Sequence, residues 1–284
     1  MIENRLLRCA VVLGPRKCGT TTLYSFLSQI PNLALPGPKK EAHLFDEGPV
    51  AFRQLMRLGR HNLSMQTKAF VDVSTHYFSD RKLWDHVVQT PEVIQVVVII
   101  RDPVERFVSH CLHQMRIKNE WKLTIDKIVA RYPEVAGDSF YSEKIPKLFE
   151  VFGEENVLLI DFDQLKYDPQ EVVRYVCASV GVEVTKGMLP LTTYHQNAGL
   201  KPKFAGAYKL LRTLSRYVRL ICGERLAERI KQKVVRSWPV GDLSEMRREL
   251  ERQLSNHQLG ETLVKERKFV ADILRRGRAN SNYL

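Results

Sequence analysis

The sequence lacks any long apolar run. Its longest uninterrupted stretches, residues 9–13 and 96–100, are five residues each, against the roughly 18 that a membrane-spanning helix requires. Cysteine is sparse: the five, at positions 9, 18, 111, 177 and 222, form an odd, widely spaced set with no CxxC pair and no histidine cluster of metal spacing. Free thiols are expected, with no structural zinc. The first eight residues carry Arg5 and Arg8 and lead straight into a strand-like run, without the apolar stretch and cleavage site of a secretory leader. This predicts a cytoplasmic protein. Internal repeats and low-complexity tracts are also missing.

Acidic residues are scarce in the last third. Residues 1–200 hold 24 Lys and Arg against 23 Asp and Glu, whereas residues 201–284 hold 20 against 9, so most of the net charge of +12 lies there. Such asymmetry points to an anionic partner: nucleic acid, a membrane face or an acidic glycan. No recognised DNA or RNA motif is present, which counts against a non-catalytic nucleic-acid-binding protein. Within 204–222, Phe204, Ala207, Leu211, Leu214, Val218 and Ile221 make an apolar stripe beside a basic one of Lys209, Arg212, Arg216 and Arg219. That is a basic amphipathic helix, either docked with its polar face in water or touching a membrane surface or anionic acceptor.

What is present is enough for an unaided core. A chain of 284 residues with 44% hydrophobic content buries about 75% of its unfolded surface. Apolar runs at 6–13, 69–73, 93–100 and 157–161 read as strands. The run at 93–100 is β-branched without polar alternation, as in a strand covered on both faces. Helical spacing follows at 20–28, 103–118, 140–152 and 169–180, the last closed by Gly181. Strands alternating with helices predict an α/β fold: one P-loop-like domain with a central parallel sheet flanked by helices, and a basic, helical C-terminal region. The break at 197–202 divides a core of 1–196 from an extension of 197–284 packed on it.

Two strand ends carry the chemistry. Gly14-Pro15-Arg16-Lys17-Cys18-Gly19-Thr20-Thr21-Thr22 joins a buried strand to a helix and offers backbone N–H groups, a helix N-terminus and two cations. This is an anion cradle. A phosphotransferase of the P-loop class needs lysine directly after the second glycine, but here Lys17 precedes Gly19 by two residues and Thr20 takes the lysine position. At the end of 93–100, Arg101 emerges at the sheet edge where open α/β sheets bind ligands, with Ser109 two helical turns on. Arg101 and Ser109 could clasp a second phosphate, while Glu105 and Arg106 read as solvated helix-surface charges.

Together these motifs resemble the sulfotransferases that use 3′-phosphoadenosine 5′-phosphosulfate (PAPS), in particular their glycan-modifying branch. Residues 14–22 are similar to the family's 5′-phosphosulfate loop, and 101–109 to its 3′-phosphate motif. Lys39-Lys40-Glu41-Ala42-His43-Leu44-Phe45-Asp46 resembles the Lys-Glu-x-His-Phe-Phe-Asp segment of heparan-type members, whose glutamate is the catalytic base. The resemblance spans about residues 8–180. It implies that Arg16, Lys17, Cys18, Gly19, Thr20, Thr21, Arg101 and Ser109 bind PAPS without a metal, and that the acceptor is a carbohydrate, glycolipid or other anionic molecule. One departure is Val73, which stands where heparan-type members carry a lysine; Ser74 and His76 are the nearby polar residues.

Sulfuryl transfer, like phosphoryl transfer, builds charge on the leaving oxygen, so positioned cations do most of the work. Lys17 is expected at the leaving group. The attacking acceptor must lose a proton to a carboxylate or imidazole, for which Glu41 and His43 both qualify. The resemblance favours Glu41 as base with His43 orienting it or the acceptor, the reverse being the alternative, and His76 stands next. An extended 39–45 segment would align Glu41, His43 and Phe45 on one face, with Phe45 expected in the core. Cys18 is either an exposed thiol with its pKa lowered by Lys17 and the helix end, or a small buried filler.

Overall fold

The computed structural model describes residues 8–36, 40–50, 52–54, 67–118, 120–185, 201–202, 240–241 and 243–277. Five strands form one sheet: β1 (Arg8–Gly14), β2 (Leu33–Ala34), β3 (Ala69–Val73), β4 (Val93–Ile100) and β5 (Val157–Asp161), in the order β2-β3-β1-β4-β5 with every neighbouring pair parallel. The side-chain period of two places each strand in two cores at once. Cys9, Val11 and Leu13 of β1, with Val96, Val98 and Ile100 of β4, enter one apolar cluster; Ala10, Val12, Val97 and Ile99 enter the other.

Helices cover both faces. In chain order they are α1 (Thr20–Leu27), α2 (Arg81–Val88), α3 (Pro103–Lys118), α4 (Ile125–Arg131), α5 (Glu134–Gly137) and α6 (Tyr141–Phe152), then α7 (Phe162–Tyr167), α8 (Pro169–Ser179), α9 (Ser244–Ser255) and α10 (Gln258–Gly277). Leu23, Phe26 and Leu27 of α1 and Val172, Val173 and Val176 of α8 fill one face, while Leu83 and Trp84 of α2 and Ile145 and Leu148 of α6 fill the other. The strands at 69–73, 93–100 and 157–161 and the helix at 103–118 form with the bounds the sequence predicts. The two-residue β2 carries too little pattern to be foreseen.

The C-terminal helices are built into the same cores. Val270 and Ile273 of α10 join the sheet cluster, and Leu250, Leu254 and Leu263 pack with Phe107, Val108 and Cys111 of α3. Glu266 accepts from the Ser142 backbone N–H at 2.8 Å, so its charge sits against the start of α6. Arg267 grips both oxygens of Asp102. A short antiparallel pair, β6 (Lys201–Pro202) with β7 (Val240–Gly241), lies in the intervening region. The basic helix expected at 204–222 falls outside the described residues. No described helix is long and apolar enough to cross a membrane.

Candidate active site

The chain runs from β1 out to β2 and β3, then returns past β1 to β4, so β1 and β4 are neighbours whose carboxyl ends open together. Ligands of open α/β sheets sit at such a reversal. The loop after β1 and Arg101 after β4 meet there, and Arg101 donates through Nη1 to the Lys17 carbonyl at 3.0 Å. A cleft of about 570 Å³ is lined by Arg16, Lys17, Gly19, Thr20 and Thr21, by Glu41, His43 and His76, and by Arg101 and Ser109. Cys18 does not line it.

The loop's shape is dictated by close approach. Gly19 has φ 79°, and a Cβ there would fall 2.9 Å from Leu165 and 3.0 Å from the Phe162 ring. Only glycine fits. Lys17 also adopts a left-handed φ of 71°, an uncommon conformation for a lysine and one that concentrates at functional sites. The opening N–H groups of α1 have no partner within the helix and belong to the residues lining the cleft.

Arg106 was expected on the helix surface, but its side chain is fully buried. Its Nε donates to Ser139 Oγ at 2.6 Å, its Nη1 to the Arg16 carbonyl at 3.3 Å, its Nη2 to the Val135 carbonyl, and Asp138 stands 3.8 Å away. Arg106 therefore clamps the loop from below. Glu105 is exposed as expected and pairs with Arg101 at 3.0 Å. Cys18 points into the core, its Sγ 3.6 Å from Tyr141 Oη, and burial pushes its thiol up to about 11. Of the two readings of Cys18, the structure shows the small buried filler and not the exposed thiolate, because desolvation outweighs the neighbouring cations.

The cleft floor is strongly positive. Burial, then Arg116, Arg101 and Lys40, lowers Lys17 to about 8. Burial, then Lys17, Arg116 and Arg16, lowers His113 to about 3. The buried Arg101 Nε finds no hydrogen-bond acceptor among the described residues, and the Arg101 guanidinium lies 4.5 Å over the Phe162 ring. Concentrated cations and an orphaned donor are what a polyanionic ligand would satisfy. His113 and Arg116 escaped the sequence reading, although they follow Ser109 on α3 at intervals of four and three, the spacing that shares a helix face.

On the opposite wall, Glu41 and His43 have φ 65° and 57°, so the segment is sharply turned rather than extended. Both still face the cleft, while Phe45 is buried as expected and stacks 4.8 Å from Phe52. Lys39 falls outside the described residues. Glu41 accepts from the Thr75 N–H at 2.7 Å and the Thr75 hydroxyl at 2.8 Å, and pairs with Lys40. Burial alone would raise its carboxyl, but His76, Lys40 and Thr75 hold it down to about 2. Ser74 is buried, donates to Asp72 at 2.9 Å and accepts from the His43 N–H at 3.4 Å, so it braces the cleft wall without lining it.

A P-loop-like α/β fold whose strand ends gather cations against a carboxylate–imidazole wall defines a group-transfer enzyme for an anionic donor. Residues 8–199 match the family description "Sulfotransferase domain", and the chain belongs to that family. It is similar to human bifunctional heparan sulfate N-deacetylase/N-sulfotransferase 3, 22% identical over 200 residues, covering 61% of this chain and 22% of the relative. It is also similar to mouse bifunctional heparan sulfate N-deacetylase/N-sulfotransferase 1, 21% identical over 215 residues, covering 68% of this chain and 23% of the relative. The chain thus spans under a quarter of either relative. Among solved structures, a sulfotransferase from Alicyclobacillus acidocaldarius is 25% identical with a TM-score of 0.53, covering 73% of this chain and 90% of that one.

Proposed function

We propose that this protein transfers a sulfuryl group from PAPS to a hydroxyl or amine of a carbohydrate-containing acceptor. The observation that carries the reading is the cation set of Lys17, Arg101 and Arg116 converging on one cleft, opposite Glu41 and His43. PAPS supplies an activated sulfuryl group with a phosphate leaving group. Arg101 and Ser109 would hold its 3′-phosphate, and the N–H groups of Gly19, Thr20 and Thr21, with Arg16, its 5′ end. The unsatisfied Arg101 Nε and the glycine-tight loop fit such a ligand.

Lys17, protonated and held at the start of α1, neutralises negative charge on the departing bridging oxygen, where electrostatic stabilisation counts most. As the acceptor oxygen bonds to sulfur and the old S–O bond breaks, the acceptor's proton passes to a base on the opposite wall. Glu41 already spends its oxygens on Thr75 and Lys40, which suits a positioning carboxylate. His43, half exposed and backed through Nδ1 by Asp46 at 3.0 Å, takes the proton. Carbohydrate as acceptor rests on the similarity to heparan sulfate N-sulfotransferases.

The displaced lysine argues against ATP. Thermal-shift and calorimetric titrations should show stabilisation by adenosine 3′,5′-bisphosphate and none by ATP with magnesium. The reverse pattern would replace this reading with a phosphotransferase. Sulfate transfer to a panel of glycan acceptors then tests the acceptor class.

A further inference from the structure

The acceptor wall carries a cluster that no placement of protons satisfies. His43 Nδ1 lies 3.0 Å from Asp46 Oδ2 and 3.2 Å from His76 Nε2, while His76 Nε2 lies 2.8 Å from Asp46 Oδ1. A carboxylate only accepts hydrogen bonds, so each nitrogen needs an N–H to reach it. Two N–H groups then oppose each other across the 3.2 Å contact. Removing either proton mends that contact and breaks one with Asp46. A dication bound by two imidazole lone pairs and one carboxylate oxygen resolves all three together.

The spacing suits such an ion. Ligands about 2.0–2.1 Å from a tetrahedral zinc stand about 3.3 Å apart. The two imidazole nitrogens are 3.2 Å apart, each meets its own oxygen of Asp46 at 2.8–3.0 Å, and one ligand atom from each of the three residues lies within 4.8 Å of the others. Two imidazoles and a carboxylate select zinc, cobalt, nickel or copper over magnesium or calcium. The other nitrogen of His76 is buried without a hydrogen-bond partner and stands 3.8 Å from Glu41 Oε2. Ligating histidines commonly aim that second nitrogen at a carboxylate.

We infer that His43, Asp46 and His76 form a zinc-type divalent metal site on the acceptor wall, and that its occupation blocks transfer. The blocking clause rests on the function proposed above; the site itself does not. A metal on His43 Nδ1 fixes that ring's proton on Nε2, so the imidazole can no longer accept the acceptor's proton. Three protein ligands leave a coordination position open beside the cleft, a pattern closer to a reactive or inhibitory site than to a closed structural one.

The test is calorimetry of the full chain with zinc chloride, with magnesium chloride as control, and visible absorption with cobalt(II) as a report of tetrahedral ligation. One saturable zinc site is expected in the wild type, with cobalt absorption intensified on binding. His76→Ala and Asp46→Asn should both lose the site; Asp46 is partly exposed, so the second variant guards against misfolding of the first. Absence of zinc binding, or equal binding in wild type and both variants, overturns the site. Zinc should also abolish sulfuryl transfer, reversibly on adding a chelator. Zinc bound as expected with undiminished transfer would overturn the blocking role alone. Failure to bind adenosine 3′,5′-bisphosphate would sink the functional reading while leaving the metal result standing.

Discussion

Lys17 is expected to couple donor binding to pH, and the size of that coupling follows from its surroundings. Burial and the charges of Arg116, Arg101 and Lys40 lower it to about 8 in the unliganded protein. It then carries its proton in about nine molecules of ten at pH 7 and about one of ten at pH 9. A bound phosphate supplies the missing counter-charge and returns the lysine towards its ordinary value of about 10.4. Binding adenosine 3′,5′-bisphosphate should therefore take up about 0.1 proton at pH 7 and about 0.9 at pH 9, and affinity should fall about tenfold per pH unit above pH 8. Calorimetry at each pH, in two buffers of different ionisation enthalpy, reads the uptake directly. Phosphate monoesters complete their ionisation near pH 6, and the buried Cys18 thiol lies up at about 11, so neither intrudes on this window. Stability should run the other way. A lysine depressed in the fold binds its proton more readily when unfolded, so the unliganded protein gains stability as pH rises from about 8 towards 10.4. Lys17→Met should flatten both profiles. Proton uptake that is unchanged between pH 7 and 9 in the wild type, or that persists in Lys17→Met, refutes the reasoning.

Three further outcomes are expected. Arg101→Ala removes a charged hydrogen-bond donor from the donor site and should weaken adenosine 3′,5′-bisphosphate binding about 10- to 150-fold, as ~1.5–3 kcal/mol implies; unchanged affinity by calorimetry would reject the 3′-phosphate role. With a hydroxyl acceptor, His43→Ala should lose roughly 10²- to 10⁴-fold in turnover, the usual contribution of a general base, and Glu41→Gln should lose less; the opposite ordering would hand the base to Glu41. Arg106→Met takes a donor from Ser139 and from the Val135 and Arg16 carbonyls, while Asp138 keeps Ser79 and Arg16. It should cost about 1–3 kcal/mol in urea unfolding, whereas unchanged stability would mean that Arg106 does not hold the loop.

The legible parts of the sequence were those where one physical rule acts alone. Apolar runs rich in Val, Ile and Leu marked the bounds of β4 and β5, and Pro103 and Gly181 marked helix ends. The meeting of the loop after β1 with Arg101 at one sheet edge was legible because strand ends before helices are local features. Arg106 was misplaced because a charge beside Glu105 on a helix reads as solvated surface, while the partners that bury it, Ser139 and Asp138, lie more than thirty residues away. The turned backbone at Glu41 and His43 was hidden for a similar reason: Thr75, which captures Glu41, comes from beyond β3. His113 and Arg116 were within reach of helical spacing alone.

The tie between α10 and the rest of the fold has a consequence in time. Every described strand of the large sheet, the loop after β1 and Arg101 lie before residue 182, yet Glu266 holds the start of α6 and Arg267 holds Asp102, next to Arg101. During synthesis the first part leaves the ribosome well before the second. At about 5–20 residues per second that interval is roughly 5–20 s, during which Asp102 lacks Arg267 and the apolar ground later covered by Val270 and Ile273 stands open. A nascent chain paused in that window carries the strand-end cleft on an unfinished core, and its uncovered apolar ground is open to capture by chaperones or to aggregation.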